Sequence, residues 1–98
     1  MTDVETEKIP PDNFLLYQNY PNPFNPSTKI SWQLPVGSWQ TLKIYDVLGN
    51  EVVTLVNEEK PAGNYEIIFD AKNLSSGVYF YQLKTYEFIQ TKKMILMK

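Results

Sequence analysis

Thr28-Lys29-Ile30-Ser31-Trp32-Gln33-Leu34 is the stretch that decides the fold. Ile30, Trp32 and Leu34 alternate with Lys29, Ser31 and Gln33, and a period of two over this length marks a strand with one face in a core. Pro35-Val36-Gly37 ends it. The same pattern repeats outward from there. Phe14 to Gln18 reads as a first strand on the N-terminal side. Thr41 to Val47 is the third, with Leu42 and Ile44 on one face and Lys43 and Tyr45 on the other. Glu51 to Val56 follows across Asp46-Val47-Leu48-Gly49-Asn50, a hairpin connection in which Gly49 supplies the left-handed residue of a type I turn with a bulge. Asn57 to Gly63 reads as a polar loop. Asn64 to Asp70 is the fifth strand, with Tyr65, Ile67 and Phe69 facing one way. Val78 to Thr85 and Phe88 to Met97 are the sixth and seventh, joined by a tight turn at Tyr86-Glu87. Met94 to Met97 are apolar in succession, so alternation assigns no inward side to the last strand.

No segment carries a sustained 3.6-residue apolar stripe, and β-branched and aromatic residues crowd the strands. Seven short strands without a helix predict an all-β fold, a seven-stranded antiparallel β-sandwich of immunoglobulin-like or fibronectin III-like type. Leu74-Ser75-Ser76-Gly77-Val78-Tyr79 sharpens this, because it resembles the tyrosine corner of such sandwiches. There Gly77 supplies a positive-φ residue and the Tyr79 hydroxyl bonds back to upstream backbone. Met1 to Asn13 reads as a linker or lead-in, holding Asp3, Glu5, Glu7 and Asp12 outside any alternating pattern and carrying Pro10-Pro11. Residues 14–98 form the domain.

Composition excludes much chemistry. The chain has 98 residues, no cysteine and no histidine. Disulfides, thiolate zinc sites, Ser-His-Asp and Cys-His catalysis and a histidine pH switch are all ruled out. Nine Lys and no Arg against eleven acids give a net charge of −2, a poor basis for reading phosphate or nucleic acid. No apolar run approaches the roughly 20 residues of a membrane span, and Met1 to Lys8 lacks the pattern of a signal peptide.

The remaining candidates are modest. Glu58-Glu59 are adjacent acids that read as solvated loop charges rather than a glycosidase pair. Asp46, Asn50 and Glu51 lack the dense acidic spacing of a calcium loop, and Asp46 reads better as a turn-starting side chain. Tyr17, Tyr20, Phe24, Trp32 and Trp39 lie where exposure would make a sugar-stacking surface, although Trp32 falls in phase with core positions and only Trp39 is expected outside among the two tryptophans. Asn73-Leu74-Ser75 fits the glycosylation pattern. Asn19-Tyr20-Pro21-Asn22-Pro23-Phe24-Asn25-Pro26-Ser27-Thr28 is the densest oddity, a stiff crossing that cannot join a sheet as a central strand. A rigid surface loop of this kind suits recognition by a partner.

Four segments together resemble the type A C-terminal sorting domain of the type IX secretion system: Leu16 to Thr28, Leu42 to Gly49, Leu74 to Tyr81 and Thr91 to Lys98. The resemblance covers about residues 15 to 98. It implies an immunoglobulin-like sandwich at the C-terminus of an exported parent, often a hydrolase. Such a domain passes from the periplasm across the outer membrane to the cell surface or beyond, and a sortase usually removes it. The implied sorting residues are Pro21, Asn22, Pro23, Gly77, Tyr79, Lys93 and Lys98. The implied partners are the translocon, the sortase and the covalently attached parent; no cofactor, metal, nucleic acid or small-molecule substrate is expected, and neither is an integral membrane role. The sortase favours small residues upstream of the first strand, yet Met1 to Asn13 holds no Gly, Ala or Ser. Either the cut lies upstream of these residues or processing differs. The missing signal peptide fits a segment of a longer protein. A related sandwich occurs in flagellar hook-capping proteins, so the fold alone does not carry the function. The reading from another class is a carbohydrate-binding or spacer module beside a glycoside hydrolase.

Overall fold

A computed structural model describes residues 11–98, so Met1 to Pro10 of the expected lead-in lie outside the described residues. Seven strands follow in chain order: β1 (Leu15–Leu16), β2 (Ser27–Leu34), β3 (Ser38–Tyr45), β4 (Glu51–Lys60), β5 (Gly63–Asp70), β6 (Gly77–Lys84) and β7 (Ile89–Leu96). They form a three-stranded sheet in the order β1-β2-β5 and a four-stranded sheet in the order β4-β3-β6-β7. Every pairing between the strands is antiparallel. Two such sheets packed face to face, with no helix among the described residues, are consistent with an immunoglobulin-like β-sandwich.

Burial alternates residue by residue along β2, β3 and most of β6. Ile30, Trp32 and Leu34 meet Leu42, Ile44, Tyr81 and Leu83 in the core, all nearly inaccessible to water. Burying side chains of this size contributes about 1.5–3 kcal/mol each, which is what binds the two sheets. Between β2 and β3 a polar contact crosses the core: the Trp32 indole donates to Gln40 Oε1 at 2.7 Å, while Gln40 Nε2 has no protein partner. The seventh strand resolves its own ambiguity through pairing. Tyr79 faces Met94 and Gly77 faces Leu96, so Met94 and Leu96 point inward, and Met97 is left 58% exposed.

Several boundaries differ from the sequence reading. β1 is two residues long rather than five, because the buried Asn19 turns the chain into the proline-rich crossing. β3 starts at Ser38 instead of Thr41, and β4 runs to Lys60, so Asn57 to Lys60 are strand and not loop. Trp39 pairs with Glu59 there. Their polarity reflects an edge position: β4 has only β3 beside it, and Asn57, Glu58 and Glu59 face water. Val47 belongs to the turn and is 68% exposed. Phe24 is the reverse case, read as a surface aromatic but 2% exposed and tilted against Phe69 at 6.3 Å.

Candidate functional site

The proline-rich crossing is built from the inside. Asn19 is buried, donating from Nδ2 to Thr28 Oγ1 at 2.9 Å and to the Pro21 carbonyl at 3.2 Å. Thr28, also buried, donates to the same carbonyl at 2.8 Å. These bonds close the loop on itself, and Tyr20 and Lys29 exchange backbone bonds across its base. Prolines at 21, 23 and 26 carry no N–H, so few backbone donors need partners. The peptide bonds before all three are cis.

The free side of this loop lies along β7. Phe24 N donates to the Ile95 carbonyl and Met97 N donates to the Phe24 carbonyl, each at 2.9 Å, in a short parallel bridge. Asn22 Oδ1 accepts from Ile95 N at 2.9 Å, and Gln18 Nε2 donates to the Lys93 carbonyl at 2.8 Å. An edge strand presents unpaired backbone groups. Here the proline-rich segment takes them from Lys93 to Met97 and acts as a clasp. Pro26 extends the clasp to the other sheet by accepting from Ala71 N at 2.9 Å.

Two tyrosines of β6 fasten the same end. Tyr79 donates to the Ser75 carbonyl at 2.8 Å, the expected corner, and Gly77 takes φ +154°. Tyr81 was not anticipated from the sequence. Its fully buried hydroxyl donates to the Tyr17 carbonyl at 2.7 Å and accepts from Asn19 N at 2.8 Å. Burial pushes its pKa up to about 12, against the opposing pull of the Asn19 bond. The only sequence signal for it was its position two residues after Tyr79, in the same inward phase.

Asn22 thus ties the Pro21–Pro23 segment to Ile95 of β7, the strand that holds Lys93 and pairs with Gly77 and Tyr79 of β6. Phe80 pairs with Lys93 and Gly77 with Leu96. Lys98 lies beside them, with N donating to Ser76 Oγ at 3.0 Å and Nζ to the Lys72 carbonyl at 2.6 Å. The expected sorting residues lie in the half of the sandwich that holds the start of β6 and the end of β7, with Lys93 inside β7 rather than at its end. The β3–β4 turn shares that half: Tyr45 pairs with both Phe80 and Glu51. The chain enters at the opposite pole. Leu15 pairs with Gln33, Gln33 Nε2 donates to the Asn13 carbonyl at 3.1 Å, and Phe14 stacks on Phe88 at 5.1 Å. An eight-residue strand separates the poles by about 25 Å.

The other candidates find structural roles. Asp46 Oδ1 accepts from Leu48 N and Asn50 N, both at 2.9 Å, and Gly49 takes φ +88°. The Asn50 backbone bond leads the contacts that hold the Asp46 carboxyl below its usual pKa range. Glu51 is lowered likewise, first by the Thr54 hydroxyl and then by Lys43 at 3.3 Å. Among the described residues no group of three or more acids is placed to hold a metal ion. Glu58 pairs with Lys60 at 3.3 Å. Trp39 is 44% exposed and donates to Asn57 Oδ1 at 2.9 Å. Tyr17 bonds Gln33 of β2 in the other sheet, so it and Trp39 share no platform.

No helix among the described residues is long and apolar enough to cross a membrane. Neither the curated proteins nor the solved structures contain a match. The family described as the secretion system C-terminal sorting domain matches residues 18–97, from the start of the clasp to the end of β7. With most of its length inside that match, the chain belongs to the C-terminal sorting domains of the type IX secretion system.

Proposed function

We propose that residues 14–98 act as a non-catalytic address label whose recognition surface is the clasped pole, and that residues 1–13 join it to a parent, often a hydrolase. A sorting tail of this family directs export to the cell surface or the extracellular space. The finer sequence we read is transit through the periplasm, passage of the outer membrane, and removal of the domain by a sortase on its N-terminal side. The observation that carries this reading is the clasp. Asn22 and Phe24 bond to Ile95 and Met97, which joins the proline-rich motif and the terminal segment into one structure. The chain entry at the far pole leaves that structure clear of an attached parent.

Pro21, Asn22, Pro23, Gly77 and Tyr79 support the shape of this pole, while Lys93 and Lys98 are the charges it presents. Lys93→Gln with Lys98→Gln tests whether those charges are read. Both side chains are exposed, so each change moves stability by no more than about 0.5 kcal/mol. A reporter carrying the double variant should melt like the parent fusion and fail to leave a type IX-competent cell. Normal export with an unchanged melt would make the lysines solubilising charges and shift recognition to the Pro21–Pro26 loop.

A further inference from the structure

Tyr45 and Phe80 are partners across β3 and β6, in the outward phase of strands whose neighbouring residues Ile44 and Tyr81 are buried. Neither ring belongs to the core cluster, and each is half-buried on the outer face of the four-stranded sheet. Together with Asp46, Gln82 and Thr91 they line an open cleft of about 350 Å³. Aromatic walls with a few polar groups, at the small end of the range of about 300–1,000 Å³, are the make-up of a small-ligand site.

The polar groups are already oriented. Gln82 Nε2 donates to Thr91 Oγ1 at 3.0 Å across the β6–β7 pair. That bond fixes the amide with Oε1 as its remaining acceptor, and it leaves the Thr91 hydroxyl a proton to donate. Asp46 Oδ1 holds the Leu48 and Asn50 amides, whereas Oδ2 meets Asn50 Nδ2 only at 3.4 Å, a long contact that leaves room for a better donor. Charge then selects among ligands. Asp46 is an acid in the lining, Lys93 is the other strand neighbour of Phe80, and Lys43 and Glu51 pair at 3.3 Å. An anion would meet Asp46 and a cation would meet Lys93, so an uncharged ligand suits the cleft best. A purely apolar group would cover Gln82 Oε1 and Asp46 Oδ2 without giving them a donor, which costs free energy. What fits is a neutral molecule with C–H faces for the rings and hydroxyls along its edge.

We propose that this cleft binds a neutral pyranose sugar. Its C–H face lies on Tyr45 and Phe80, and its hydroxyls donate to Gln82 Oε1 and Asp46 Oδ2 and accept from Thr91. The site stands at the opposite end of β3 from the exposed Trp39. It goes beyond the sorting reading and does not depend on it, because binding by the isolated chain neither requires nor reports export.

The test follows amide chemical shifts of the full chain by NMR while methyl β-D-glucoside, methyl β-D-galactoside or methyl α-D-mannoside is added. With at least one of them, the amides of Tyr45, Phe80, Gln82 and Thr91 should move saturably, with a Kd of about 1–10 mM. Glucuronate and glucosamine, which add an acid or an ammonium to such a ring, should bind more weakly than the matching neutral glycoside. Phe80→Val removes one ring and should weaken binding about tenfold or more. Gln82→Leu lies outside the core cluster and should also weaken it about tenfold, which guards against a folding defect in the first variant. Trp39→Ala should leave binding unchanged. Sedimentation with insoluble cellulose and mannan separates the sources: a chain that sediments takes its sugar from a polymer, and one that binds only the glycosides takes a free sugar. Three results overturn the site: no saturable shift at the cleft with any of the three glycosides, affinity within about twofold of the parent in both cleft variants, or an equal loss in Trp39→Ala.

Discussion

Tyr79 and Tyr81 look alike in the sequence and have different work to do. The Tyr79 hydroxyl reaches Ser75, four residues upstream in an exposed turn, where water can replace it. Tyr79→Phe should therefore cost about 0.5–1.5 kcal/mol. Tyr81 reaches 64 and 62 residues back, and its loss orphans Asn19 N inside a buried site. Tyr81→Phe should cost about 1–3 kcal/mol, more than its neighbour, and urea melts giving equal or reversed losses would refute the ranking. Gly77→Ala should cost about 1–2 kcal/mol from backbone conformation alone, since an added Cβ meets nothing within 4 Å. The raised Tyr81 pKa adds a pH signature. The folded state favours the neutral phenol, so its contribution is complete below the unfolded value near 10 and is lost as pH rises through about 12. The denaturant midpoint should fall across that window, and the fall should be shallower in Tyr81→Phe. A local signature, Gly77-x-Tyr79, made the first tyrosine legible. The second depends on backbone brought from the far end of the chain, and no spacing encodes that.

Strands were legible where one face is buried and the other wet. β2, β5 and β6 lie within a residue of their expected limits, because alternation there is imposed by the core. It failed at β4, whose outer half is wet on both faces, so Asn57 to Lys60 looked like a loop. It failed again at Phe24, which reaches the core from a segment with no alternation of its own. The clasp was visible only as two unrelated oddities, a proline cluster and an apolar terminus. Its joining is a backbone event, Phe24 against Ile95 and Met97, and side-chain pattern does not report it. Asn22→Ala tests the joining. It removes the acceptor of Ile95 N, so that amide should exchange with solvent about tenfold faster, while Met97 N, held by the Phe24 carbonyl, changes little. The cost should be about 0.5–1.5 kcal/mol. Equal acceleration at both amides would mean the clasp opens as one unit, and no change at Ile95 would mean the bond does not persist in solution.

At the scale of the whole molecule Asn13 and Lys98 lie toward opposite poles. A parent attached ahead of residue 11 meets the pole of Leu15 and Phe88, about 25 Å from the clasp. Material attached after Lys98 would instead sit against Ser76, Lys72 and the end of β7. The fold should accept either. Lys98 and Met97 are exposed, and the core contacts of β7 end at Leu96, so a flexible linker there need displace nothing. The address should not accept either, if the machinery reads the clasped pole. A folded reporter joined ahead of the domain should be exported, and the same reporter joined after Lys98 by a short linker should stay in the cell. Both fusions should show the same melting transition for the sandwich, which separates a covered surface from a damaged one. Equal export from the two would place recognition away from this pole, on the flanks of the sheets. A lengthening linker supplies the graded version of the argument: export should return once the linker lets the reporter swing clear of the pole, and a loss that persists at every length would show that a free chain end, rather than an uncovered surface, is what the machinery requires.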